Sequence, residues 1–178
     1  MADVDATLLV SLLRESINDG QQPQLTINSN SMAPLLQSGD QIILASVTPE
    51  QIQPGDLLTL TTESDLLTHR YWGYWHQGDA VCLLTRGDRP LLYDKPWPID
   101  SLIGRVIARQ RQGKVLALEQ GRGKWLNDRL TWLAKVDSRW FGLQPERPAP
   151  LLTRTNYLKR HLIWFGARVL TRFIDIIN

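Results

Sequence analysis

The apolar positions along this chain change their period twice. Near the start, Leu8, Leu9, Leu12 and Leu13 fall at i, i+1, i+4 and i+5, followed by Arg14 and Glu15 and closed by Asn18-Asp19-Gly20. That spacing predicts a short amphipathic helix over 5–18 with a glycine stop. From residue 24 the pattern shortens to apolar runs at 25–27, 42–45, 57–60, 66–68, 81–85 and 102–107, each bounded by Gly-Asp, Pro or Asn. Such punctuation predicts short strands of a mainly antiparallel sheet. After residue 120 the helical period returns. One stripe, Leu126, Leu130, Leu133, Val136 and Trp140, predicts a helix over 124–141; a second, Leu158, Leu162, Phe165, Val169, Phe173 and Ile176, predicts one over 154–177. Three prolines within 144–150 separate them as a stiff linker. The expected fold is therefore mainly β with α extensions: an N-terminal helix in 1–20, a β body in 21–119 and a helical C-terminal extension in 120–178.

Composition adds that 178 residues, 43% of them hydrophobic and 21% charged, can build one folded domain with an appendage. Collagen-like, low-complexity and wholly disordered chains are excluded. Charge changes the picture more, because the net +2 hides a split. Residues 1–103 carry 5 basic and 13 acidic side chains, net −8, and residues 104–178 carry 15 and 5, net +10. An acidic body with a basic arm points to a membrane, an acidic partner or a nucleic acid. Trp125, Trp132, Trp140, Trp164 and Phe165 on that arm fit peripheral membrane contact. Docking to a partner protein, or packing of the arm on its own body, reads the same way. Nucleic acid is the weakest option, since no reader motif accompanies the charge.

The lone Cys82 makes no intramolecular disulfide and reads as a small core residue of a reducing compartment; no metal or other cofactor is expected. No run of about 18 apolar residues predicts a spanning helix. Asp3 and Asp5 stand where a secretory signal carries basic residues, so Met1 reads as a cytoplasmic start.

The stretch Ser29-Asn30-Ser31-Met32-Ala33-Pro34 follows a strand ending at Ile27 and holds a serine in a turn at the sheet edge. Alone, Ser31 reads equally as a turn or cap serine. A serine nucleophile needs an adjacent base, and residues 1–103 offer few: Lys95, His69 and His76. His69 sits in the strand-like Leu66-Leu67-Thr68-His69-Arg70, whereas His76 falls in the aromatic and glycine-containing turn 74–78, so His69 is the more firmly held. His161 belongs to the basic arm, on a solvated helix face. A histidine base commonly has a carboxylate that sets its tautomer. Asp88 and Asp94 are both available, although a Gly-Asp pair is also common in plain turns. Tyr71, Trp72, Tyr74 and Trp75, just after His69, serve packing, a cleft wall or a bilayer contact.

Taken in order, Ser31-Met32-Ala33-Pro34, Gly39-Asp40, Pro54-Gly55-Asp56, His69-Arg70, Thr85-Arg86-Gly87-Asp88 with Asp94, and Ile103-Gly104-Arg105-Val106 resemble the signal peptidase I family over residues 24–108. The spacings of 38 residues from Ser31 to His69, 19 on to Asp88 and 6 more to Asp94 are similar to its Ser-His-Asp branch of archaea and the endoplasmic reticulum. Bacterial members, and self-cleaving SOS-type repressors of the same fold, use a lysine where this chain has His69. The resemblance implies a signal-peptidase-like folded β-sheet core and a serine endopeptidase acting on an extended leader or precursor peptide. It makes Ser31 the nucleophile, His69 the general base and Asp94 the orienting acid with Asp88 in support. Ser31 N–H and the Ser29 hydroxyl become the oxyanion donors. Asn30 stands where many members carry glycine, the spanning helix usual before the serine is missing, and the basic arm lies outside the family pattern. A catalytically silent peptide-binding or scaffold module, recruited through the arm, is the alternative expectation.

Overall fold

In the computed structural model, which describes residues 6–62, 65–145, 147 and 153–177, the short apolar runs join into one antiparallel sheet. In chain order the elements are α1 (Ala6–Asn18), β1 (Gln24–Thr26), β2 (Gln41–Ala45), β3 (Leu57–Thr61), β4 (Leu66–Gln77), β5 (Ala80–Arg86), β6 (Trp97–Pro98), β7 (Leu102–Arg111), β8 (Lys114–Ala117), α2 (Gly121–Phe141) and α3 (Arg154–Ile177). The sheet runs β1-β2-β7-β3-β4-β5-β6, and β8 also pairs with β7. β7 is the hub: β2 lies along one edge, while β3 and then β8 follow one another along the other. The protein is thus a mixed fold of eight strands and three α-helices among the described residues. Residues 1–5 and most of the proline linker 144–150 lie outside the description.

The strand expected at 66–68 runs to Gln77 and takes in the aromatic group. His76 is therefore in a strand, not a turn, and the hairpin turns at Gly78, φ +61°. Aromatic side chains favour a pleated, half-buried surface, and an irregularity at Tyr71/Gly73 lets the long strand bend. Tyr71 packs in the core with Leu58, Leu60 and Leu83, while Tyr74 is exposed. Cys82 is buried and free. The β7–β8 hairpin pairs the expected strand with the apolar run Val115-Leu116-Ala117-Leu118, which was not among the expected strands. It turns at Gln112-Gly113, both at positive φ, the conformation a two-residue hairpin loop demands.

The main core lies between the sheet and the helices. Leu13 and Ile17 of α1, Leu126 and Leu130 of α2, and Ala167 and Ile174 of α3 join Met32, Leu35, Leu36, Ile42, Leu44 and Val106 in a single cluster. The helices of the C-terminal extension thus bury their inner faces in the same core as the strands. Their apolar stripes do not all turn inward. Trp140 of the expected α2 stripe is exposed, and the buried line runs Leu126, Leu130, Ala134, Asp137, Phe141. In α3 the reversal is complete: Leu158, Leu162, Phe165, Val169, Phe173 and Ile176 all face solvent, between 49% and 77% exposed, while Ala167, Thr171 and Ile174 face the body. Polar anchors decide this. Asp175 binds Arg109 and Arg111 of β7, and Arg160 approaches Asp137 of α2 at 3.5 Å, so the face holding those groups must lie inward.

Candidate active site

Ser31 sits in the loop between β1 and β2, which the chain anchors from below. Met32, Leu35 and Leu36 are buried, Ile27 N–H donates to Asp40 O, and Gly39 N–H donates back to Ile27 O. The Asn30 side-chain carbonyl accepts Ser38 N–H at 3.1 Å and closes the loop. Among described non-glycine residues only Gln112 has positive φ, so the backbone at Asn30 makes no demand for glycine. Ser31 itself is half-buried, its carbonyl accepting Arg89 N–H at 2.9 Å from the turn after β5.

His69 projects from β4, opposite Leu58 of β3, and is 5% exposed. Its Nε2 is 2.9 Å from Ser31 Oγ and its Nδ1 is 2.6 Å from Asp94 Oδ2. Asp94 is carried to that spot because its backbone N–H donates to Thr85 O at the end of β5. The Thr85 hydroxyl donates to the same Oδ2 at 2.6 Å. A carboxylate only accepts, so Nδ1 carries the imidazole proton and Nε2 keeps the lone pair that accepts the Ser31 hydroxyl. The Ser29 hydroxyl, 3.2 Å from Ser31 Oγ, completes a chain of five groups: Ser29, Ser31, His69, Asp94, Thr85. With the Ser31 hydrogen directed to Nε2, the Ser29 hydroxyl donates to Ser31 Oγ, while Ser31 N–H reaches Ser29 Oγ only at the long distance of 3.5 Å; both donors therefore lie beside the nucleophile's oxygen.

Asp88, expected in support of the histidine, does something else. It makes a two-pronged pair with Arg70, Nε to Oδ1 at 2.7 Å and Nη2 to Oδ2 at 2.8 Å. Arg70 follows His69 in β4, and alternation along the strand turns it to the opposite face. There it is fully buried and donates from Nη1 to Gly55 O, Asn127 Oδ1 and Thr131 Oγ1, riveting β4 to α2. Its cross-strand neighbour Arg86 is also buried, against Asp137 and Ala134 O, with its guanidinium over the rings of Trp72 and Tyr93. Burial holds the Arg86 guanidinium below its ordinary value, opposed by Asp137. Burial likewise pushes the Asp137 carboxyl up, opposed by Arg86 and Arg160.

Thr85, Gly87 and Arg70 stand inside the quoted motifs, yet their roles are visible only in three dimensions. Thr85 is a hydroxyl at the end of a buried apolar run, and a buried hydroxyl needs a partner, which was the available signal. Gly87 has a steric role: a Cβ there would lie 3.0 Å from His69 Nε2 and from Ser31 O, and 2.8 Å from Pro90 Cδ. Arg70 is a charge inside a strand core. His161 stacks on Tyr157 of its own helix. Of the aromatics assigned to outside contact, Trp125, Trp132, Trp140 and Phe165 are exposed, whereas Trp164 is half-buried beneath the Arg89 guanidinium at 4.5 Å. Among the described residues no cluster of His, Cys, Asp or Glu could hold a metal ion.

The arrangement can activate a hydroxyl for attack on a carbonyl and shuttle its proton. No protein-family model matches the chain, and no curated protein does.

Proposed function

We propose that this chain is a serine endopeptidase resembling signal peptidases, with the sheet built from 21–119 as a signal-peptidase-like core and Ser31, His69 and Asp94 as its triad. The observation that carries the reading is the unbroken relay of 2.9 Å from Ser31 Oγ to Nε2 and 2.6 Å from Nδ1 to Asp94. Ser31 Oγ attacks the peptide carbonyl carbon while its proton passes to Nε2, and the carbonyl π pair moves onto oxygen. Ser31 N–H and the Ser29 hydroxyl receive that oxyanion; one such donor is worth about 3–4 kcal/mol. Collapse of the intermediate breaks the C–N bond as His69 returns the proton to the leaving amine. A water then repeats the sequence on the acyl-enzyme and frees Ser31. Asp94 stabilises the imidazolium in both halves.

The substrate under this reading is a leader or precursor peptide, bound extended at the cytoplasmic side of a membrane. No described helix is long and apolar enough to cross one. The outward stripe of α3, six large apolar side chains with Lys159, Arg168 and Arg172 interspersed and exposed, supports peripheral attachment to an anionic bilayer.

A fluorophosphonate probe tests the chemistry. Wild type is expected to be labelled at Ser31, and Ser31→Ala and His69→Ala are expected to lose labelling. Equal labelling of wild type and Ser31→Ala would sink the assignment. Co-sedimentation with phosphatidylglycerol vesicles tests the attachment, which Leu158→Asp with Leu162→Asp is expected to abolish; undiminished binding by that variant refutes it.

A further inference from the structure

Beside the nucleophile lies a cleft of about 570 Å³ between the Ser31 loop and the N-terminal half of α3. Asn30, Ala33 and Pro34 form one wall; Arg89, Arg160 and Arg168 supply its charge, and no Asp or Glu lines it. An unbalanced cluster of this kind is unusual on a protein surface, where opposite charges normally intersperse.

The charge is only partly used within the chain. Arg160 leans on Asp137 at 3.5 Å, but Asp137 also faces Arg86, so one carboxylate serves two guanidiniums. Among the described residues, Arg89 and Arg168 have no carboxylate within ion-pair distance. Arg89 is nonetheless held: its guanidinium lies 4.5 Å over the Trp164 ring, and its carbonyl accepts a hydrogen bond from Arg160. Fixing an arginine in advance lowers the entropy cost of binding an anion. The position matters as much as the charge, since Arg89 N–H is bonded to the carbonyl of Ser31. An arginine side chain rooted there reaches about two residues of an extended peptide, at about 3.3 Å per residue, from the point of attack.

We propose that this cleft is a specificity subsite that binds a carboxylate of the peptide substrate within about three residues of the cut. The ligand is an acidic side chain or the peptide's own C-terminal carboxylate. Guanidinium and carboxylate match in forked geometry, so two free arginines favour such a group over an amide of the same shape. The proposal rests on the peptidase reading for its biological sense, but binding can be measured without turnover.

The test uses the full chain carrying Ser31→Ala and pools of acetylated, C-terminally amidated hexapeptides, randomised except for one position fixed as Asp/Glu or as Asn/Gln. Fluorescence anisotropy is expected to show at least tenfold tighter binding of an acidic pool at one position. Adding Arg168→Glu is expected to erase that preference, as is Arg89→Glu. If instead matched pools with a free C-terminal carboxylate bind at least tenfold tighter than the amidated pools whatever the fixed residue, the ligand is the C-terminal carboxylate and the subsite stands. Equal affinity for Asp/Glu and Asn/Gln pools together with equal affinity for free-acid and amidated pools overturns the proposal, as does a preference that both charge reversals leave intact. Loss of phosphatidylglycerol vesicle binding in Arg168→Glu, without any peptide preference, overturns it in favour of lipid headgroups. Fluorophosphonate labelling of wild type reads the nucleophile separately from the cleft. Failure of wild type to label removes the peptidase reading and leaves the cleft's peptide preference to be judged on the anisotropy alone.

Discussion

Two aspartates six residues apart have been drawn into different jobs, and exchanging each for asparagine separates them. In Asp94→Asn the shape persists while the charge beside Nδ1 vanishes. At 2.6 Å and an effective dielectric near 20, a unit charge interacts by about 6 kcal/mol, and the 18% exposure of the Asp94 side chain trims that to about 4–5. At 1.36 kcal/mol per decade, the rate of Ser31 acylation should fall by about 10³–10⁴. If the asparagine presents its NH₂ to Nδ1, the proton moves to Nε2 and the serine loses its acceptor, a change that costs about 10⁴ by itself in such triads. Asp88→Asn leaves this relay untouched and instead removes the counter-charge of a fully buried Arg70. Breaking one side of a buried pair costs about 3–5 kcal/mol, so the urea midpoint should drop while labelling of the folded protein stays within about tenfold of wild type. The assay is the second-order rate of fluorophosphonate labelling in native buffer, beside a urea titration of the same samples. If Asp94→Asn labels within tenfold of wild type, or if Asp88→Asn slows labelling as much as Asp94→Asn does at equal folded fraction, the division of roles is wrong.

Gly87→Ala should slow labelling by about 10–100-fold, because its Cβ must displace His69 or the Ser31 carbonyl and a misplacement near 1 Å costs about 100-fold; labelling within twofold of wild type contradicts this. Leu162→Asp, on the outer stripe of α3, should change unfolding free energy by no more than about 0.5 kcal/mol. Ile174→Ala on the inner face should cost about 2–5 kcal/mol, and the reverse order in urea melts would mean that α3 lies the other way round. Asp137 has a folded pKa raised above 3.8 by burial, so its proton favours the folded state. This contribution is complete below pH 3.8 and is lost as pH rises through the folded value. The stability of wild type relative to Asp137→Asn should therefore fall with rising pH over that window, and a rise would show that the ion pairs outweigh burial.

Much of the local order was legible along the chain. The period of apolar residues located α2 and α3 and six of the eight strands, because periodicity is a property of neighbours in sequence. It mislocated His76, since a strand that continues past a glycine irregularity looks like a turn in one dimension. It missed β6, whose two residues carry too little pattern to register, and β8, whose run Val115-Leu116-Ala117-Leu118 lies directly before the helical period begins and shows no alternation. In the site, the need of a serine for a base singled out His69 from very few candidates. Thr85, Gly87 and Arg70 act through what they touch across strands and helices, and no spacing along the chain encodes that.

The alternation of elements, the acidic body and basic arm, and the short list of candidate bases for Ser31 follow from the order of residues along the chain. Three outcomes belonged to tertiary structure alone. Strand alternation at the end of β4 sends His69 to one face and Arg70 to the other, and this separates Asp94 from Asp88. Ion pairs to Arg109 and Arg111 rotate α3 so that its most apolar stripe faces out. That same rotation brings arginines of the arm beside the Ser31 loop. The physical reason is common to all three. Hydrophobic period says that a helix or strand has two unlike faces, but only the buried charges it must satisfy in its packed position decide which face turns inward.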